Sequence, residues 1–161
     1  KLSAFLRHNI RKPIGLVMGI NNLADIFKEK YYETLQGGIL EAFGILFKDN
    51  IRIYAYPIEK ETFERYRKQV GIGDNVEVET TEDGLVTIDN LLVAKNLRNL
   101  YKYIRENGVL ESIHDCERTN MGVFSRDAFD RIRERKEGWS EIVPTCVAEL
   151  IKKKNLWRAP M

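Results

Sequence analysis

The sequence is poor in cysteine and histidine, lacks the common phosphate-loop signatures, and has neither a long apolar run nor a strong charge imbalance. Its two cysteines, Cys116 and Cys146, lie far apart and form no Cys-x-x-Cys pair, so neither a disulfide framework nor a structural zinc site is expected. A reducing, intracellular compartment is the expectation for such thiols. The two histidines, His8 and His114, share no ligand spacing with Cys116 or with each other, and no metal site is expected. His114-Asp115-Cys116 reads as a solvated loop, since adjacent side chains point to different sides. Neither Gly-x-x-x-x-Gly-Lys-Ser/Thr nor Gly-x-Gly-x-x-Gly occurs, and Gly71-Ile-Gly73 reads as a turn. Apolar runs such as Ile14 to Ile20 fall far short of the roughly 20 residues of a membrane-spanning helix. With 26 Lys and Arg against 24 Asp and Glu, the formal charge is +2, so no overall field draws the chain to nucleic acid or anionic lipid, and any anion site must be local.

What is present describes a globular chain. Its 161 residues, 43% apolar and 31% charged, exclude disorder and collagen-like repeats and predict one soluble domain over 1–161. No repeat, low-complexity tract or linker interrupts it. The chain begins at Lys1 without a readable targeting segment, and reads as a processed product, an excised domain or part of a longer polypeptide.

Periodicity supplies the elements. After a basic, helix-like lead at Leu2 to Asn9, Pro13 breaks the pattern, and Ile14 to Ile20 reads as a strand buried on both faces. Asn22 can cap the helix that follows, with Leu23, Ile26 and Phe27 at helical spacing, and Ile39 to Phe47 predicts another helix after Gly37-Gly38. Ile51 to Tyr56 is a second strand, stopped by Pro57. A βαβ unit of this kind predicts parallel strands, with ligands beyond their carboxyl ends, where Asn21 and Asn22 fall. Thr62 to Val70 predicts a helix, and Val76 to Thr80 and Leu85 to Ile88 flank Asp83-Gly84 as a hairpin. Leu97, Leu100, Tyr101 and Ile104 mark a clear helix ending at Asn107-Gly108. Gly122 to Phe124 reads as a short strand, Ser125 to about Arg135 as a helix, and Pro144 opens a last helix carrying Val147, Leu150 and Ile151.

The most informative segment for chemistry is Phe124-Ser-Arg-Asp-Ala-Phe-Asp-Arg-Ile-Arg-Glu-Arg135. A helix N-terminus offers free N–H groups, so a phosphate could sit at Ser125-Arg126, with Arg131 or Arg133 reaching it. The same residues also fit a plain N-cap at Ser125 and a solvated face, its arginines balanced by Asp127, Asp130 and Glu134. Lys152-Lys-Lys154 reads as a last turn complementing the helix dipole.

Taken in order, Phe124-Ser125, Asp130-Arg-Ile-Arg133, Gly138-Trp-Ser-Glu-Ile-Val-Pro144 and Val147-Ala-Glu-Leu-Ile-Lys-Lys-Lys-Asn-Leu-Trp157 resemble the carboxyl end of nicotinate and nicotinamide mononucleotide adenylyltransferases. There, a strand enters a serine- and arginine-bearing helix, followed by Leu-Val-Pro and a closing helix. Leu16-Val-Met-Gly-Ile-Asn-Asn-Leu23 is similar to that family's strand ending in Gly-Ala-Asp-x-Leu, and Tyr31 or Tyr32 falls near its ring-stacking tryptophan. The resemblance implies a Rossmann-like, three-layer α/β fold with a parallel sheet, either incomplete or carrying a β-hairpin insertion. It implies a reaction in NAD biosynthesis that joins a mononucleotide to the adenylyl group of ATP, with magnesium, releasing pyrophosphate. The nucleotide-binding positions it implies are Gly19, Asn21, Asn22, Ser125, Arg126 and Arg131. The family's Gly-x-Phe-x-Pro loop and His-x-Gly-His motif are not in this sequence. Asn21 stands where the family has aspartate, Arg126 where it has a second serine, and its helix arginine aligns with Asp130 unless the register slips onto Arg131. The expectation is therefore a nucleotide-binding chain that is not catalytic alone, with ATP or a mononucleotide as ligand and an upstream domain or protein partner. The alternative is a non-catalytic, structural or accessory subunit of a larger assembly.

Overall fold

The computed structural model describes residues 12–48, 51–70, 76–79 and 83–158. The predicted lead helix at Leu2 to Asn9, His8, Gly71-Ile-Gly73 and the Thr80 end of a predicted strand lie outside them. The chain forms two compact units, Lys1–Glu117 and Arg118–Met161.

In the first unit, β1 (Ile14–Gly19) runs straight into α1 (Ile20–Ile26), and α2 (Gly38–Lys48) leads to β2 (Ile51–Tyr56). There follow β3 (Ile58–Glu59), α3 (Lys60–Val70), β4 (Val76–Val78), β5 (Leu85–Val86), β6 (Leu91–Val93), α4 (Arg98–Glu106) and β7 (Leu110–Ser112). Strands β1, β2 and β7 make a 3-stranded sheet in that order, and both pairings are parallel. This is a mixed α/β unit, as its strand and helix periodicities predict.

Register settles which residues share a face. Leu16 pairs with Ile53 and Met18 with Ala55, while Val17 pairs with Tyr54 and Gly19 with Tyr56. Ile51, Ile53 and Ala55 are buried on one side, and Val17 on the other is 66% exposed. The expectation that β1 is buried on both faces is thus corrected: among the described residues it is an edge strand, and Val17 on one face is exposed. The run reads as uniformly apolar because its exposed positions are Gly15 and Val17, with no polar residue to mark them. Phe27 lies at the centre of the packing, its ring 5.0 Å from Phe43 and 5.3 Å from Tyr101. Burying a side chain of that size is worth about 1.5–3 kcal/mol.

The predicted hairpin is also corrected. β4 pairs antiparallel with β6, and β5 pairs with β3, so the strands flanking Asp83-Gly84 are not partners. Gly84 does turn the chain, with φ +68°. The second reversal is made by buried Asn90, whose Oδ1 accepts from Thr87 N at 2.8 Å and whose Nδ2 donates to Leu85 O at 2.7 Å. Short-range turn signals do not reveal that second bend.

The second unit contains α5 (Ser125–Arg133) and α6 (Thr145–Lys153), with short 3₁₀ turns at Arg118–Asn120, Trp139–Glu141 and Leu156–Arg158. Residues 122–124 are not a strand. The third strand of the sheet is instead β7, whose Leu-Glu-Ser sequence carries a single apolar residue and no periodicity to read. Ile132, Trp139, Ala148 and Ile151 form the core of this unit. No helix among the described residues is long and apolar enough to cross a membrane.

Candidate functional site

The six predicted binding residues fall three in each unit. Gly19, Asn21 and Asn22 stand at the carboxyl end of β1. Gly19 is the N-cap of α1, in extended conformation (φ −75°, ψ 156°), and no side chain caps the helix. Asn22 is therefore not the cap it was expected to be. Asn21 is buried, 7% exposed, and its Nδ2 donates weakly to Asn22 Oδ1 at 3.4 Å. A Cβ on Gly19 would lie 2.5 Å from Asn21 Oδ1 and 3.1 Å from the Tyr56 ring. Any side chain here would force Asn21 or Tyr56 to shift. An asparagine pair offers hydrogen-bond donors and acceptors without charge, a set suited to hydroxyls and amides.

The same edge holds a neighbour that sequence reasoning missed. Ile113 N donates to Ala55 O at 2.9 Å, so the chain leaving β7 continues beside the end of β2, and exposed His114 and half-buried Cys116 follow directly. Recognising β7 would have placed His114 near the strand ends. The described strands advance in one direction, β1 to β2 to β7, without the reversal of order that opens a ligand crevice in doubly wound sheets.

Tyr31 and Tyr32 play different parts. Tyr32 donates its hydroxyl to Ile26 O at 2.7 Å and meets Phe43 edge-on, and burial, followed by the neighbouring Tyr31, raises its pKa. Tyr31 is exposed, with Lys30 Nζ 5.4 Å from its ring centroid.

In the second unit, Ser125, Arg126 and Arg131 are all exposed. The N-cap of α5 is Phe124 in extended conformation, so Ser125 is the first helical residue and not the cap. Arg131 stands about 9 Å further along the axis and about 120° around the helix from Ser125. Its guanidinium lies beside Gly138, 3.8 Å from where a Cβ would be. Arg133 pairs with Asp130 at 3.5 Å, whereas Arg126 and Arg131 have no ion-pair partner among the described residues. A groove of about 530 Å³ passes Ser125 and Arg126 between α5 and α6, floored by Ala128, Ile132 and Ile151.

The resemblance also brings magnesium. Among the described residues no group of three or more His, Cys, Asp or Glu is placed to hold a metal ion, so no residue of this chain is assigned to it. Comparison of the chain with protein-family models, with curated proteins and with solved structures gives no match.

Proposed function

We propose that this chain is a nucleotide-binding protein of the nicotinate/nicotinamide mononucleotide adenylyltransferase type, with a Rossmann-like sheet, that holds ATP or a pyridine mononucleotide without turning it over alone. The observation that carries this reading is the parallel pairing of β1 with β2 across a helical connection, with Gly19, Asn21 and Asn22 at its carboxyl end. Adenylyl transfer depends on positioning and on neutralising phosphate charge. Asn21, Asn22 and Ser112 at the strand ends supply hydrogen bonds but no cation, which favours binding over catalysis. Exposed Arg126 and Arg131 are the candidates for phosphate in the second unit, and any magnesium would arrive on the phosphates of ATP.

Calorimetric titration of the intact chain with ATP and with nicotinamide mononucleotide tests the reading. Saturable binding of one of them is expected, together with no dinucleotide when both are mixed. Arg131→Ala should weaken binding by about 1–3 kcal/mol, the scale of a lost charge-assisted hydrogen bond. Binding of neither nucleotide would sink the proposal; dinucleotide synthesis would overturn its non-catalytic part.

The second reading, an accessory subunit, is favoured by the open sheet face, where Val17 and Tyr56 are exposed. A stoichiometric complex in the native source with no response to nucleotide would support it.

A further inference from the structure

A cleft of about 580 Å³ lies on the first unit, bordered by the 3₁₀ turn Glu29–Tyr31, the first turn of α2 and the 3₁₀ turn Lys95–Leu97 that leads into α4. Its wall on α4 follows from helical spacing. Asn96, Asn99, Leu100 and Tyr103 stand at i, i+3, i+4 and i+7, beside the row of Leu97, Tyr101 and Ile104 that enters the core. Leu40 of α2 is 65% exposed at the cleft and Tyr103 is 62% exposed. The polar groups converge on the same space. Asn96 Nδ2 donates to Glu29 Oε2 at 3.0 Å, joining two turns that lie 67 residues apart in the chain. That bond leaves Glu29 Oε1, Asn96 Oδ1, the Asn99 amide and the Tyr103 hydroxyl without a protein partner among the described residues.

Charge decides which ligands this set suits. An anion meets the Glu29 carboxylate and finds no lysine or arginine in the lining: Lys28 is held by Asp25 at 2.7 Å, Arg98 lies 4.0 Å from Glu77, and Lys95 stands next to Asn96 without lining the cleft. A cation finds a single exposed carboxylate, which in water holds it only weakly. It also meets the amino end of the helical segment leading into α4, which has no capping side chain and no acidic residue in its first turn. The cleft therefore favours a neutral ligand.

A carboxylate, two amides and a phenol together supply donors and acceptors for neighbouring hydroxyls, while the Tyr103 ring, Leu40 and Leu100 offer apolar surface to C–H groups. A pyranose carries both in one small body, with hydroxyls around its edge and C–H groups on its faces. We infer that this cleft binds a neutral saccharide of one or two rings, with Glu29, Asn96 and Asn99 on its hydroxyls and Tyr103 against a ring face. The volume lies within the usual range of small-molecule sites, and a few polar groups converging on an apolar wall is their usual make-up. The inference uses none of Gly19, Asn21 and Asn22, and it stands apart from the nucleotide reading.

Saturation-transfer NMR and calorimetric titration of the intact chain test it, with glucose, N-acetylglucosamine, maltose and cellobiose as neutral probes, glucosamine and glucuronate as charged ones, and adenosine as a nucleoside. At least one neutral saccharide should bind saturably, and more tightly than either charged sugar by at least about fivefold, the scale on which a charged group left unsatisfied is felt. Asn99→Ala and Tyr103→Ala, both changes at exposed positions, should each weaken that saccharide by at least about fivefold while leaving the circular dichroism unchanged. Lys102→Ala, on the same helix but outside the cleft, should leave its affinity as it was. Binding of no neutral saccharide, or unchanged affinity in either cleft variant, overturns the inference. So does tighter binding of a charged sugar, which would mean that charge governs the cleft, or of adenosine, which would assign it to a nucleoside.

Discussion

Gly19 lies beneath the ring of Tyr56 with the Asn21 side chain folded back against it, so that a Cβ would stand 3.1 Å from Tyr56 Cε2 and Cζ and 2.5 Å from Asn21 Oδ1. Asn21 is buried, and its amide has little room to retreat. Gly19→Ala should therefore cost about 1–3 kcal/mol, the range for overpacking. In an Asn21→Ala background the penalty should shrink by about 0.5 kcal/mol or more, because the two sites share the clash. Urea denaturation of the four proteins measures the coupling, and strictly additive costs would refute it.

Tyr101 predicts an alkaline limit. Its hydroxyl donates to Ile88 O at 2.8 Å inside the core, and its pKa is raised by burial, with Arg105 opposing and Asp89 reinforcing the shift. The unfolded phenol titrates near 10.0, so above that pH the folded state holds the proton that the unfolded state has released. The stabilisation is complete below pH 10.0 and declines as pH rises toward the folded value. Tyr101→Phe should cost about 1 kcal/mol at neutral pH and flatten the fall in urea midpoint above pH 10.0. An equal fall in both proteins would refute the assignment.

Arg135 closes α5 in a conformation that suits glycine. At φ 55°, it donates N–H to Ile132 O at 3.1 Å, and Lys136 N donates to Arg131 O at 2.9 Å, the paired bonds of a Schellman ending. α4 ends the same way, with Gly108 at φ 63° and Val109 N bonded to Ile104 O at 3.0 Å. Left-handed backbone costs a residue with a side chain about 1–2 kcal/mol, partly offset by the greater chain entropy that glycine loses on folding. Arg135→Gly should raise stability by about 0.5–1 kcal/mol, and Gly108→Arg should lower it. Calorimetry would contradict this if Arg135→Gly melted earlier.

Asn90 holds the second reversal between β5 and β6. Asn90→Ala removes the acceptor of Thr87 N and a donor to Leu85 O, and a cost of about 1–3 kcal/mol is expected from the lost hydrogen bonds in a buried turn. Amide exchange should accelerate at Thr87 more than in β1 or β2. Uniform acceleration across the unit would mean that Asn90 acts on global stability alone.

Much of the fold was legible because burial imposed a period. Leu97, Leu100, Tyr101 and Ile104 repeat at helical spacing, and Tyr101 and Ile104 are buried on α4. β2 alternates in sequence and in burial alike. β7 was illegible because a three-residue strand needs only Leu110 to reach the core. The helix after β1 starts earlier than Asn22 suggests because extended Gly19 begins it with no capping side chain, whereas α5 does start at Ser125, with extended Phe124 and not Ser125 as its cap. Of the candidate site, the position of Asn21 and Asn22 at a strand end followed from the strand-helix alternation. The nucleotide assignment rests on motif spacing, which burial and periodicity do not address.

The one-way order of the described strands has a consequence for how this architecture can grow. Right-handed crossovers that always advance in the same direction lay their helices on one side only, which fits the exposed Val17 and Tyr56 on the other. Adding further βα repeats beyond β7 would widen the sheet indefinitely and still leave that side bare. Only a winding that turns back past β1 could roof it, and that same return stroke would create a cleft at the strand ends.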